Sequence, residues 1–334
     1  MVIKRLFLLP VFVFLLSSCA ATENSSNEHK KTVYAMDTVM EIKAYGDNAE
    51  EAINEAEKEI FRLERLFKRD SEESDVYKLN KYKKAVVSAD TADVVKKALD
   101  ISEATEGAFD ISIAPLTDLW GFYTKEYRVP SQKKIDSVLP QVNYKNIGVD
   151  GNFAVISGNS EIDLGGIAKG YLSEKITEGF RKAGVTSAIV SLGGNIQTLG
   201  NKPDGGKWQV AIQNPDSDNS YIGILSVSDM AVVTSGGYRR FFEKDGKIYH
   251  HIFDTKTGYP ANGGLKSVTI VCFDGTRADG LSTALFVMGL DRGTEFWRAD
   301  KGFDAIFLTD DNKIFVTEGI ESMFKSDYPF ETIY

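Results

Sequence analysis

Two hydrophobic periods alternate along this chain and divide it into helix-forming and strand-forming stretches. Ile53, Ala56, Ile60, Leu63 and Phe67 recur three or four residues apart, which puts them on one face of a helix. Asn48 and Glu51 precede them at capping-box spacing, so the helix is expected to open there. Val94, Ala98 and Ile101, with Val95 and Leu99, predict a second helix over 91–104 that stops at Gly107. A third is predicted over 168–183, with Gly184 as its stop. Elsewhere the pattern turns to alternation or short apolar runs. Strands are predicted over 32–45, 186–192, 208–213, 222–227, 247–253 and 267–273, with a helix over 279–288 among them. Residues 304–309 and 313–317 flank Asp310-Asp311-Asn312 as a closing hairpin. Helices early and antiparallel strands late predict an α+β fold with mixed or antiparallel strands. No repeat or clean linker divides it, so residues 32–334 are expected to form one domain.

The amino-terminal pattern fits neither period. Lys4 and Arg5 precede an apolar run over 6–16, followed by Ser17, Ser18 and Cys19. A basic start, an apolar core and small residues before a cleavage point predict a secretory signal peptide over 1–18. The run is too short to span a membrane as a helix. Small residues ending on a cysteine resemble a bacterial lipobox, with Cys19 as the acylated first residue of the mature protein. Acyl chains contribute about 0.8 kcal/mol per buried methylene, so two or three would hold a domain on a membrane. Residues 20–31 are polar and aperiodic, so 19–31 is expected to be a lipidated start and flexible tether. The expected location is the bacterial cell envelope, facing the periplasm or the exterior.

Composition narrows the chemistry. Cys19 and Cys272 are the only cysteines. If Cys19 carries lipid, Cys272 has no disulfide partner and reads as a small core residue. Net charge is −9, and without residues 1–18, which hold Lys4 and Arg5 but no acid, it becomes −11. A nucleic-acid partner is not expected, since that calls for clustered basic surface. The three histidines are His29, in the tether, and the adjacent His250 and His251. A zinc site needs three or four His or Cys ligands, which are missing, and no G-x-S-x-G elbow supports a serine hydrolase.

Four segments carry the remaining chemistry: Asp163-Leu-Gly-Gly-Ile-Ala-Lys-Gly170, Ser191-Leu-Gly-Gly-Asn195, Thr234-Ser-Gly-Gly-Tyr238 and Ala278-Asp-Gly-Leu-Ser-Thr283. The first has the residue types of a phosphate loop but not the Walker order. Glycine pairs at element ends let backbone approach a ligand, and helix starts favour anions. Each is also what an ordinary tight turn needs. Asp279 and Thr283 are four residues apart, on one face near a predicted helix start. One carboxylate and one hydroxyl suit Mg²⁺ that borrows ligands from a substrate phosphate; from spacing alone the helix cap is the favoured reading of Asp279. A lone histidine beside a phosphate site is a candidate general base, or simply a strand residue.

Together these segments resemble the ApbE family, the FAD:protein FMN transferases. The resemblance runs from Ala35-Met-Asp-Thr38 to Gly289 and includes Gly107-Ala-Phe-Asp-Ile-Ser-Ile-Ala-Pro-Leu116 and His251-Ile-Phe-Asp-Thr-Lys-Thr-Gly258. It implies Mg²⁺-dependent transfer of FMN from FAD to a threonine hydroxyl of a target protein, within a Ser/Thr-Gly-Ala-Thr motif, with release of AMP. The implied metal ligands are the Gly166 carbonyl, Asp279 and Thr283, with Ser282 beside them. The implied FAD contacts are Met36, Phe67, Ala108, Phe109, Asp110, Asp163, Lys169 and Ile252, and His251 resembles the family's candidate base. Two positions depart from the family pattern: Phe67 stands where Tyr or Trp is usual, and Asp37 replaces the glycine of a Met-Gly-Thr string. The partner implied is an exported or membrane-anchored redox protein. Two alternatives stay open, an FAD pyrophosphatase giving FMN and AMP, and a flavin-binding lipoprotein without turnover.

Overall fold

The computed structural model describes residues 27–334. The expected signal peptide, Cys19 and the tether to residue 26 lie outside the described residues. Residues 28–31, expected in the tether, belong instead to the strand Glu28–Ala35, which pairs in register with Thr38–Tyr45. Their polarity is that of a sheet edge: Lys30 pairs with Glu41 and Lys31 with Glu57. The single strand expected over 32–45 is a hairpin, turned at Met36 and Asp37, both in left-handed backbone at φ 49° and 58°. Two successive positive φ values make the type I′ turn that matches strand twist, here without glycine.

That hairpin starts a nine-stranded sheet. Its order continues through Ser187–Leu192, Asn195–Leu199, Ala231–Gly236, Leu265–Cys272, Asp304–Thr309, Ile314–Thr317 and Phe330–Ile333. All neighbours are antiparallel except the last pair. Both faces are covered, which explains the apolar runs. Val233, Ile270 and Phe307 point to the main core, under the helices Ala49–Phe67, Ala168–Lys182 and Gly275–Ala299. Their neighbours Val232, Val271, Ile306 and Leu308 point the other way. There they meet Trp208, Val210 and Leu225 of a three-stranded sheet, Trp208–Asn214, Ser217–Val227 and Phe324–Lys325. Cys272 is a buried free thiol, raised to about 12 by burial, as its place in a core strand predicts.

Several boundaries moved for identifiable reasons. Asn48 does not cap its helix; its Nδ2 donates to the Ala183 carbonyl at 2.8 Å and ties two helix ends together. The helix expected over 279–288 begins earlier, at Gly275, capped by Asp274, whose Oδ1 accepts from the Arg277 N–H at 2.9 Å. Its regular part does end at Met288, because Gly289 (φ 80°, ψ 180°) breaks the helical path. The strand expected over 247–253 stops at His250. The strands Asn195–Leu199 and Ala231–Gly236 went unread, as did the small sheet of Lys84–Val86, Ile147–Asp150 and Phe153–Ile156. Among the described residues no helix is long and apolar enough to cross a membrane.

Candidate active site

The helices Ala168–Lys182 and Gly275–Ala299 cross on the sheet, and the site lies where they meet. Contact requires glycine: a Cβ on Gly170 would stand 2.2 Å from the Gly275 carbonyl oxygen and 2.7 Å from the Asp279 Cβ. That approach lets the Gly170 N–H donate to Asp279 Oδ2 at 2.9 Å. Asp279 is 4% exposed and makes no ion pair among the described residues. A buried carboxylate with one hydrogen bond and no basic partner is costly unless a cation completes it. Because Asp274 supplies the cap, Asp279 is not needed for that role.

Three hydroxyls order themselves beside it. Ser282 Oγ donates to the Asp279 carbonyl at 2.8 Å, so its one proton is used. Ser235 Oγ, 2.8 Å away, must therefore donate to Ser282. Thr283 Oγ1, 3.2 Å from Ser235, donates in turn, which leaves the Thr283 lone pairs free. Ser282 is fully buried and Thr283 is not. Gly166 lies opposite: a Cβ there would be 4.0 Å from Thr283 Oγ1 and 3.1 Å from the Phe109 ring. Gly166 and Thr283 thus stand close together, the threonine one helical turn from Asp279, with Ser235 hydrogen-bonded to both Ser282 and Thr283. All are oxygen donors, and no cluster of three or more His, Cys, Asp or Glu exists among the described residues. One carboxylate with neutral oxygens fits a hard dication that keeps waters and takes phosphate ligands.

Around this cradle the other predicted positions divide. Lys169 Nζ donates to the Gly165 carbonyl at 3.2 Å and has no ion pair among the described residues. Asp163 Oδ1 accepts from the Gly165 N–H at 2.8 Å, while its Oδ2 meets Arg69 at 3.3 Å. Arg69, which sequence reading passed over, also binds Asp118 at 2.6 Å and stacks on Tyr123. Asp110 is committed to its own loop: Oδ1 accepts from Ser112, Oδ2 from the Tyr144 N–H, and burial raises its pKa. The neighbouring Phe109 ring lies against Gly166. Met36 sits in its hairpin turn, its N–H donating to Glu64 at 2.9 Å. Phe67 is a buried residue, edge-on to Tyr171 at 6.1 Å.

The two histidines differ sharply. His250 is bound at both ring nitrogens, Nε2 to the Ala261 carbonyl at 3.0 Å and Nδ1 to the Ile252 N–H at 3.3 Å. His251 bonds through Nδ1 to the Arg240 carbonyl at 3.1 Å. Its proton must therefore be on Nδ1, and Nε2 carries the lone pair. The ring keeps some solvent access but is set deep among protein atoms. That depth, then the Arg240 cation, lowers its pKa to about 3, with Lys169 near enough to add to the effect. The turn after it is well fastened: Thr255 Oγ1 donates to the Gly107 carbonyl at 2.7 Å and Trp120 Nε1 to the Gly258 carbonyl at 2.9 Å. Ile252 is buried within it. The Gly107–Asp110 loop and the 251–258 turn therefore form one wall.

Ser235 was also missed as a site residue, although its Thr-Ser-Gly-Gly segment stood out. No residue-type signal separates it from a turn serine; only the sheet brings it under Thr283.

Known proteins resemble this chain in sequence and in fold. The ApbE family model matches residues 36–307. The chain is 33% identical over 235 residues to the FAD:protein FMN transferase of Klebsiella pneumoniae, covering 69% of this chain and 72% of that protein. It is 30% identical over 317 residues to that of Treponema pallidum, covering 88% of each. The crystal structure of the ApbE protein of Thermotoga maritima superposes with a TM-score of 0.84 at 31% identity, covering 90% of this chain and all of that one. Flavin transferase ApbE from Vibrio cholerae gives a TM-score of 0.80 at 28% identity, over 89% and 99% of the chains. By sequence and by fold, the chain belongs to the ApbE family.

Proposed function

We propose that this protein transfers FMN from FAD to a threonine hydroxyl of a target protein, releasing AMP, with Mg²⁺ in the cradle. The observation that carries this reading is Asp279: a buried carboxylate without an ion pair among the described residues, near a threonine hydroxyl whose lone pairs are free and a glycine-pair turn. Bound there, Mg²⁺ would neutralise pyrophosphate charge. Gly166, Asp279 and Thr283 would hold it, and Ser282 and Ser235 orient Thr283. Lys169 would place a cation against the nucleotide phosphates, since its ammonium has no competing carboxylate. Phe109, Ala108 and Ile252 line the adjoining apolar wall, while Asp110 and Asp163 act mainly by shaping it.

The chemistry is one displacement. The acceptor Thr oxygen bonds to the flavin-side phosphorus, the bond from that phosphorus to the AMP oxygen breaks, and AMP leaves with the electron pair. The threonine proton goes to a base. His251 Nε2 carries the ring's open lone pair, but burial and the Arg240 cation weaken it as a base; phosphate charge brought in beside it would raise its basicity, and a base so placed is worth roughly 10²–10⁴-fold. The same site with water as nucleophile would give FMN and AMP. The lipobox-like segment at Cys19 supports a lipid anchor on a membrane, with the domain in the periplasm or outside the cell.

The test uses residues 20–334 with FAD, Mg²⁺ and a peptide bearing Ser/Thr-Gly-Ala-Thr. A peptide mass increased by FMN, lost with EDTA, supports the transferase. Equal FMN and AMP without modified peptide indicates the pyrophosphatase, and bound FAD without either product indicates a carrier.

A further inference from the structure

A groove of about 1010 Å³ opens beside the site and shares none of the predicted nucleotide contacts. One wall is the strand Lys247–His250, which with Phe241–Lys244 forms a separate two-stranded sheet. The facing wall is residues 261–266. The walls meet just past His250, where Nε2 bonds the Ala261 carbonyl and the Ala261 N–H bonds the Ile252 carbonyl.

The strand's open edge faces this groove. Lys244 pairs with Lys247 across the Asp245-Gly246 turn, and the His251 N–H bonds the Arg240 carbonyl. Alternation between bonded and non-bonded pairs then turns the main-chain N–H and C=O of Ile248 and His250 outward. Neither residue's main chain has a partner among the described residues. Ile248 is 64% exposed, and the Tyr238 hydroxyl in the lining is buried without a partner. The closed end abuts the reaction site: Gly237 and Phe286 line it, two residues from Ser235 and one helical turn from Thr283. The open strand itself runs into His251.

We propose that this groove holds the acceptor protein, as an extended segment that adds a third strand to the edge of Lys247–His250 and delivers its threonine toward His251. The proposal rests on the transferase reading and names the partner of that same site. An unpaired edge with aromatic walls is what strand addition uses, main chain giving affinity and alternate side chains giving selection. A segment on this edge is led to the neighbourhood of His251 by the strand direction alone, which no free small molecule requires.

The experiment measures flavin transfer to the Ser/Thr-Gly-Ala-Thr peptide against peptide concentration, with acceptor-free AMP release from FAD as a parallel readout. Ile248→Pro removes an outward N–H and no ladder bond of the hairpin, a position where a strand tolerates proline. The acceptor KM is expected to rise about three- to tenfold, as for one lost main-chain bond, with AMP release unchanged. Wild-type protein with peptides N-methylated at successive residues tests the same edge without a variant. Transfer should weaken at every second residue. Unchanged KM in Ile248→Pro together with no alternation overturns the groove while the transferase reading stands. So does sedimentation showing a dimer that Ile248→Pro dissociates, since the edge would then hold a second copy. Wild-type protein that makes neither AMP nor modified peptide sinks the transferase reading first, and the groove with it.

Discussion

Asp279 and His251 are held by two different kinds of structure. Asp279 stands inside a long helix, on a sheet buried on both faces, and its neighbours are backbone and small hydroxyls. Close approach there depends on Gly170, where any side chain would strike backbone. His251 lies beyond the end of a small hairpin. Its position depends on a separate apolar cluster of Leu116, Trp120, Phe122, Ile135 and Phe253. Phe122 packs 6.3 Å from the His251 ring, and Trp120 packs on Phe253 at 5.8 Å. Asp279 is thus set by contact with its immediate neighbours, and His251 by packing some distance from it. Damage to the cradle should be local and complete, whereas damage to the rim should be graded and reach His251 from afar.

The sharpest test of that contrast is Asp279→Asn. The amide oxygen can still accept from Gly170, so size and fold persist while the charge is lost. AMP release and peptide flavinylation should both fall on the order of 10³-fold, the scale of several kcal/mol of metal stabilisation, and EDTA should add nothing further. Retained activity would mean that the buried carboxylate serves packing alone. Next in size is His251→Ala. Transfer should drop by about 10²-fold, while FAD affinity, measured by quenching of flavin fluorescence, stays within about twofold. Equal loss of binding would erase the distinction between cradle and rim.

A smaller effect probes action at a distance. Trp120→Phe removes the bond to the Gly258 carbonyl and some bulk, without touching His251. Stability should fall by about 1–2 kcal/mol in urea unfolding. Transfer should fall up to about tenfold, and AMP release less if water reaches the phosphorus without the base. A change in stability alone would show that the rim is stiffer than its separate core implies.

How much of this could be read beforehand follows the same division. The cradle was legible because its chemistry is in residue types: Asp163 to Gly170 and Ala278 to Thr283 offer glycines, a lysine, a carboxylate and a hydroxyl at short spacing. Even so, the choice between cap and ligand for Asp279 needed Asp274, which the late start assigned to the helix concealed. Gly275 and Gly280 weaken the helical signal there. Ser235 and Arg69 were not legible as partners, because Ser235 meets Thr283 and Arg69 meets Asp163 only through the fold. Phe67 carries two readings that do not compete: its helical period makes it core, as its burial against the Tyr171 ring shows, and the resemblance implies a flavin contact. The strand at 28–31 was hidden by polarity that belongs to a sheet edge and looks, in sequence, like a tether.

The smallest effect separates the two regions by pH. Burial and the Arg240 cation hold His251 neutral down to about 3, against 6.5 when unfolded. A base depressed in this way binds no proton in the folded state where the unfolded chain does, so stability rises with pH across that window. Falling from pH 6.5 towards 3, the protein should lose up to about 1.4 kcal/mol per pH unit on account of this one ring. His250 is also lowered by burial and contributes in the same direction, but it is common to wild type and His251→Gln. The difference between their urea midpoints at pH 7 and pH 5 therefore isolates His251, and wild type should show the larger acid loss. The transfer rate of wild type should carry no inflection near 6.5, because the ring is already in its basic form. An inflection there that disappears in His251→Gln would mean that substrate-free packing leaves the ring wetter than its place beside Phe122 and Arg240 requires. In that case the rim, unlike the cradle, would be assembled only when the acceptor arrives.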